Sequence, residues 1–164
     1  MAEEWELNPV DFLTVGTVGP RGKRVFYIQG AKDDELVSLI VEKMQVNALA
    51  EAIDDLFVEI GQQHSDLTEE TIDLEAFNFE LRDPIQPEFR VAQIGLGYDE
   101  ASDMVIIVTQ ELLTDEQLET AEPRVVRFWG DRRLLTALAI YAGTVVERGR
   151  PDPQKNGRIH YYWT

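Results

Sequence analysis

Residues 35–60, ELVSLIVEKMQVNALAEAIDDLFVEI, pass from an apolar strand into an amphipathic helix with neither Pro nor Gly between them. Leu36, Val37, Leu39, Ile40 and Val41 are too continuously apolar for a strand with one wet face, so the spacing predicts a strand covered on both sides. The period then changes to a helical one. Val46, Leu49, Ala50, Ile53, Leu56, Phe57 and Ile60 fall on one stripe, and Asn47, Glu51, Asp54, Asp55 and Glu59 on the other. A helix that leaves a buried strand in this way lies down on the sheet. Between the two, Glu42 is placed to complement the partial positive charge of the helix N-terminus. With Lys43 and Gln45 it reads either as a polar binding cluster or as a capping and packing arrangement.

At 164 residues the chain suits one domain with a sizeable core. Its 15 basic and 31 acidic side chains give a net charge of −16, which disfavours non-specific attraction to nucleic acid or anionic lipid. With no cysteine, disulfides, thiolate catalysis and Cys-based zinc sites are excluded. The N-terminal MAEEWELNP lacks the basic and apolar regions of a leader, and nowhere do about 18 apolar residues run together. The expectation is a cytoplasmic protein without nucleic-acid or membrane partners.

In chain order, residues 1–10 read as an acidic lead-in with an entry turn at Asn8 and Pro9. Residues 12–18 and 24–29 read as strands joined by Gly19-Pro20-Arg21-Gly22, and residues 31–34 turn the chain into the core strand. The glycines of GTVGPRGKR invite comparison with a phosphate-binding loop. However, Thr17 stands at the first glycine position, Arg24 follows Lys23, and the context is a hairpin. Arg21, Lys23 and Arg24 therefore make a basic hairpin tip.

Residues 61–87 are polar and acidic, with a short helix predicted from Thr68 and an alternating strand predicted over 76–81. Their carboxylates lack the register of a calcium loop, so a solvated connector is the reading. Residues 89–97, 104–109 and 124–129 read as strands, with a turn over 98–103 and a polar excursion over 112–123. Asp131 can cap a helix with the stripe Leu134, Leu138, Ala142 and Val145, ending before Gly149.

The predicted fold class is α+β: two βββα-like halves, about 11–61 and 88–149, form a pseudo-repeat of antiparallel meanders covered by two main helices. Convergence of two generic helix patterns is the competing explanation of the likeness. An acidic connector of about 62–87 joins the halves, and a tail of 150–164 completes a single domain.

The segments FLTVGTVGPRGKRVFYIQ, VEKMQVNALAEAIDDL, FRVAQIGLGYDE and RFWGDRRLLTALA, followed by GRP and a later Asn-Gly, resemble the uncharacterised bacterial family called domain of unknown function 3090. The resemblance covers about Asp11 to Gly157 and implies no established activity. Its genes tend to neighbour those for a histidine-phosphatase-like and a lipid-kinase-like protein, which implies phosphate-linked metabolism or signalling. Members commonly end in a Cys-rich segment suited to a structural zinc ribbon. The corresponding tail here has no cysteine to build one.

That tail is locally basic through Arg148, Arg150, Lys155 and Arg158, and it carries Ile159-His160-Tyr161-Tyr162-Trp163. Docking on the acidic body, strand addition to a sheet edge, and contact with another subunit or a partner all suit it. His64 and His160 have no recognisable catalytic partner, so no catalytic residues, cofactor or metal site are assigned.

Two functions are expected from this pattern. The first is a non-catalytic interaction or adaptor module that offers Arg21, Lys23, Arg24, Glu42, Lys43, Gln45 and Trp163 to a protein partner or a second copy. The second is a binder of, or enzyme acting on, a small phosphorylated metabolite, with a pocket near Lys43, Gln45, Arg132 and Arg133.

Overall fold

The computed structural model describes residues 4–63 and 72–148. His64, the predicted helix from Thr68, and the tail with Trp163 lie outside the described residues. Among the described residues seven strands form one sheet: β1 (Glu4–Leu7), β2 (Phe12–Val18), β3 (Val25–Lys32), β4 (Glu35–Val41), β5 (Pro87–Asp99), β6 (Met104–Glu111) and β7 (Val125–Asp131). Helix α1 (Lys43–Gln63) follows β4, a short α2 (Asp115–Leu118) lies between β6 and β7, and α3 (Arg132–Arg148) follows β7. The strand order is β1-β7-β6-β5-β4-β3-β2. The architecture is therefore α+β with a mostly antiparallel sheet, and the two meanders share that sheet.

Parallel pairs join β4 to β5 and β1 to β7, and every other pair is antiparallel. Parallel neighbours need a crossover, which α1 and the connector after it supply between β4 and β5. The strand-to-helix junction behaves as its pattern predicts: Val37, Leu39 and Val41 are buried, as are Val46, Leu49, Ile53 and Ile60 on α1. Full burial of a side chain such as Ile53 is worth about 1.5–3 kcal/mol.

Two expectations are corrected. Residues within the acidic lead-in form β1, whose Leu7 is only 1% exposed while Glu4 and Glu6 face Arg127 at 3.6 and 3.7 Å. The alternating residues 76–81 are not a strand; a 3-10 turn (Leu74–Ala76) leads into an irregular segment. That segment alternates because Phe79 turns inward, and its backbone is held by side chains instead of a neighbouring strand. The Thr14 hydroxyl donates to the Phe79 carbonyl at 2.6 Å. The buried Gln29 amide accepts from the Arg82 N–H at 2.7 Å and donates to the Arg82 carbonyl at 2.9 Å.

The sheet coils until its ends meet. Val10 N–H donates to the Trp129 carbonyl and Asp11 N–H to the Ala31 carbonyl, so the link between β1 and β2 bridges β7 and β3. There Gly30 lies against the buried Phe128 ring, and an added Cβ would stand 2.5 Å from Phe128 Cδ1. Such crowding of a ring fixed in the core costs about 1–3 kcal/mol. Gly30→Ala is expected to lower the unfolding free energy by that amount, seen as a lower urea midpoint with an unchanged slope in equilibrium denaturation.

Candidate functional site

The starts of α1 and α3 are held by different means. At α1, Gln45 Oε1 accepts from Glu42 N–H at 2.8 Å, and the Gln45 amide donates to the carbonyls of Val91 and Ala92 on β5. The Glu42 carboxylate pairs with Arg90 at 2.6 Å. Glu42 and Gln45 thus tie α1 to the central strand. At α3, Asp131 caps the helix as predicted, accepting from Leu134 N–H at 2.8 Å. A carboxylate there answers both an orphan donor and the positive end of the helix.

Between α1 and α3 runs a groove of about 560 Å³. Its apolar wall is Phe57, Val58, Ile72 and Ile140, and its polar rim is Asp54, Asp103, Asp131, Arg132, Arg133 and Thr136. Val58 is 59% and Ile140 47% exposed, large values for branched aliphatic side chains. The connector shapes one end of this groove. Phe77 stacks on Phe79 and Phe79 on Tyr141 of α3, with centroids 5.6 and 4.7 Å apart, while the Arg133 guanidinium lies 5.5 Å from the Phe77 centroid.

The rim carries an ordered network. Arg132 donates to Asp103 from 3.0 Å, and the Tyr98 hydroxyl donates to the same carboxylate. Burial, and then the bond to Asp103, push the Tyr98 phenol up to about 12. On α1 the Asp54 carboxyl is raised, by burial first and then by the charges of Asp55 and Glu51. Negative charge is concentrated on this side of the groove.

Arg132 and Arg133 are brought together here as expected, but Lys43 and Gln45 are not among the lining residues. Arg21 and Lys23 are exposed and Arg24 half-buried in the β2 to β3 turn, where Gly19 and Gly22 take φ values of 110° and 87°. A second, smaller cavity of about 250 Å³ lies next to that turn, lined by residues including Val18, Phe79 and Tyr141. The groove's acidic and apolar residues were not singled out from the sequence as a site. Asp54, Tyr98, Asp103 and Ile140 come from four elements or loops with no local motif among them, and only the helical stripe that includes Phe57 offered a signal.

Among the described residues, no group of three or more His, Asp or Glu side chains is placed to hold a metal ion. No helix among them is long and apolar enough to cross a membrane. A family model described as "Protein of unknown function (DUF3090)" matches residues 5–157. No curated protein and no solved structure matches the chain.

The raised Tyr98 phenol has a measurable consequence. Because its folded value lies above the unfolded one of about 10, its contribution to stability is intact below pH 10. It is lost as the pH rises from there through about 12. Ultraviolet titration should find a phenol that ionises near 12, and Asp103→Asn should bring that transition down.

Proposed function

The chain belongs to that family, whose description assigns no activity, and we propose that it is a non-catalytic interaction module that binds a protein segment of mixed apolar and cationic character in the groove between α1 and α3. The observation that carries this reading is the placement of exposed Val58 and Ile140 in one groove with Asp54, whose neighbours Glu51 and Asp55 are also acidic, while Asp103 and Asp131 are already engaged by Arg132 and the start of α3. Apolar side chains of a partner would cover the aliphatic wall, and its Lys or Arg residues would meet the rim. The basic hairpin tip, with exposed Arg21 and Lys23, lies outside this groove and suits a separate contact with an acidic surface.

A small phosphorylated metabolite is the second reading, favoured by Arg132 and Arg133 lining a cavity within the usual range of about 300–1,000 Å³ for small-molecule sites. It is the weaker one. Asp103 already holds Arg132, and Asp131 already caps the α3 N-terminus, so the groups that would attract phosphate face carboxylates.

A fluorescent peptide of alternating Lys, Leu and Tyr provides the test, with binding followed by anisotropy on the full chain. Ile140→Glu should weaken binding about tenfold or more, and a peptide with Glu in place of Lys should not bind. Equal binding of both peptides, unaffected by Ile140→Glu, would overturn the reading. Saturable binding of inorganic phosphate that Arg133→Gln abolishes would transfer support to the second.

A further inference from the structure

We infer that the groove between α1 and α3 receives the tip of the hairpin between β2 and β3 of a second copy of this chain, so that the protein associates head to tail. The inference rests on the groove being a peptide site and names its partner. The tip, residues 18–25, has the mixed apolar and cationic character that such a site takes.

Between Asp11 and Asp33 the chain carries no carboxylate, although 31 of its side chains are acidic. Arg21, Lys23 and Arg24 stand in the middle of that stretch. Val18 and Val25 are the last cross-strand pair before the turn, and they are 46% and 39% exposed. Paired residues of neighbouring strands point to the same face, so the two valines and the cations beyond them form one continuous surface. Its match is an aliphatic wall flanked by carboxylates. In its own chain Val18 lines the smaller cavity beside Tyr141 and Val145, so the tip sits outside its own groove.

The tip is also preformed. Lys23 N–H donates to the Pro20 carbonyl at 2.9 Å and closes the turn. A Cβ at Gly19 would stand 2.9 Å from the Lys23 carbonyl oxygen, so only glycine lets the two arms of the turn approach this closely. A loop held in shape loses little freedom when it docks, and more of a small contact then appears as affinity.

The charge balance of the groove decides how the tip lies in it. The lining carboxylates Asp54, Asp103 and Asp131 are set against the guanidiniums of Arg132 and Arg133. Asp103 holds Arg132, and Asp131 accepts from the start of α3. Arg133, over the Phe77 ring, is the group that opposes an incoming cation. The facing wall is acidic: Glu51, Asp54 and Asp55 are all exposed on α1. Those carboxylates outweigh the Arg133 guanidinium and lie across the groove from it. Arg21 and Lys23 therefore lie against α1, Arg133 keeps them off α3, and Val18 and Val25 cover Val58 and Ile140.

Whole copies repel one another, since each carries a net charge of −16. At physiological ionic strength that repulsion is screened beyond about 8 Å, whereas the contacts inside the groove act at shorter range. The association is consequently weak. Because tip and groove are different surfaces, one contact leaves a free tip and a free groove, and addition continues into a ring or an open chain.

Sedimentation velocity on the full chain provides the test. The weight-average mass should rise with concentration between about 10 µM and 1 mM, the range of a contact below the standard interface size. Arg21→Glu with Lys23→Glu disables the tip, and Val58→Glu with Ile140→Glu disables the groove; each double variant alone should keep the mass of one chain. Mixed in equal amounts they should form a pair and nothing larger, because one intact tip and one intact groove remain, and that pairing also shows that both are folded. In the parent chain, Arg133→Gln should strengthen association severalfold, and Asp54→Asn with Asp55→Asn should weaken it severalfold.

A parent chain that stays single throughout that range, an assembly that either double variant retains, a mixture that does not pair, or reversed signs at Arg133 and at the two Asp positions would each overturn the inference. The peptide of alternating Lys, Leu and Tyr separates it from the reading on which it rests. In the expected case the peptide displaces the tip and returns the assembly to single chains. If the peptide binds a chain that never associates, the groove is a peptide site and the hairpin is not its occupant; if neither the peptide nor a second copy binds, both fall.

Discussion

The amide of Gln29, fully buried on β3, holds both backbone polar groups of Arg82. This pair of bonds does for the connector what a neighbouring strand would otherwise do. A buried N–H or carbonyl left without a partner costs about 1–3 kcal/mol, so residues 77–82 can cross the sheet only where such a side chain receives them. Thr14 takes the Phe79 carbonyl in the same way, and Ser38 accepts the remaining bond from Gln29. The connector is thereby fixed over β2, β3 and β4. With it fixed, β5 lies parallel beside β4 and the second meander extends the sheet.

The groove depends on the same anchorage. Phe77 and Phe79 stand one after the other between the sheet and α3, Tyr141 stacks on Phe79, and Arg133 lies over Phe77. Ile72, at the start of the described part of the connector, contributes to the groove wall. The elements that frame the groove are therefore locked by a polar clamp on one side and an aromatic stack on the other. The rim at the base of α3 has its own lock, in which Tyr98 and Arg132 both bond to Asp103. Where a charge pair serves the sheet instead, as with Glu111 and Arg124, the Glu111 carboxyl is lowered by its bonds to Arg124 against the effect of burial.

Periodicity, and for β4 an unbroken apolar run, made β2 to β7, α1 and α3 legible in the amino-acid sequence, because each buries apolar side chains in a pattern that local sequence carries. Strand β1 escaped that reading. Its alternation is Glu, Trp, Glu, Leu, and the glutamates are there to meet Arg127 and the Trp129 indole N–H, partners more than a hundred residues away. Residues 76–81 misled in the opposite direction: they alternate like a strand, yet their backbone partners are the side chains of Thr14 and Gln29. Hydrogen-bond partners supplied by distant side chains leave no mark on local periodicity. The site divides likewise. Arg132 and Arg133 could be singled out as neighbours on one helix, whereas Asp54, Tyr98, Asp103 and Ile140 are neighbours only after the sheet has coiled and α1 has packed on α3.

Amide hydrogen exchange at Arg82, resolved by NMR on the full chain, tests the dependence of this architecture on Gln29 most directly. Residue 82 belongs to no helix or strand, so by local structure alone its N–H would exchange within the range of exposed loops. The bond to Gln29 predicts protection comparable to that of the β3 amides, opening only with the sheet. Exchange at the rate of an unstructured peptide, with β3 still protected, would contradict the claim that this clamp holds the connector in place.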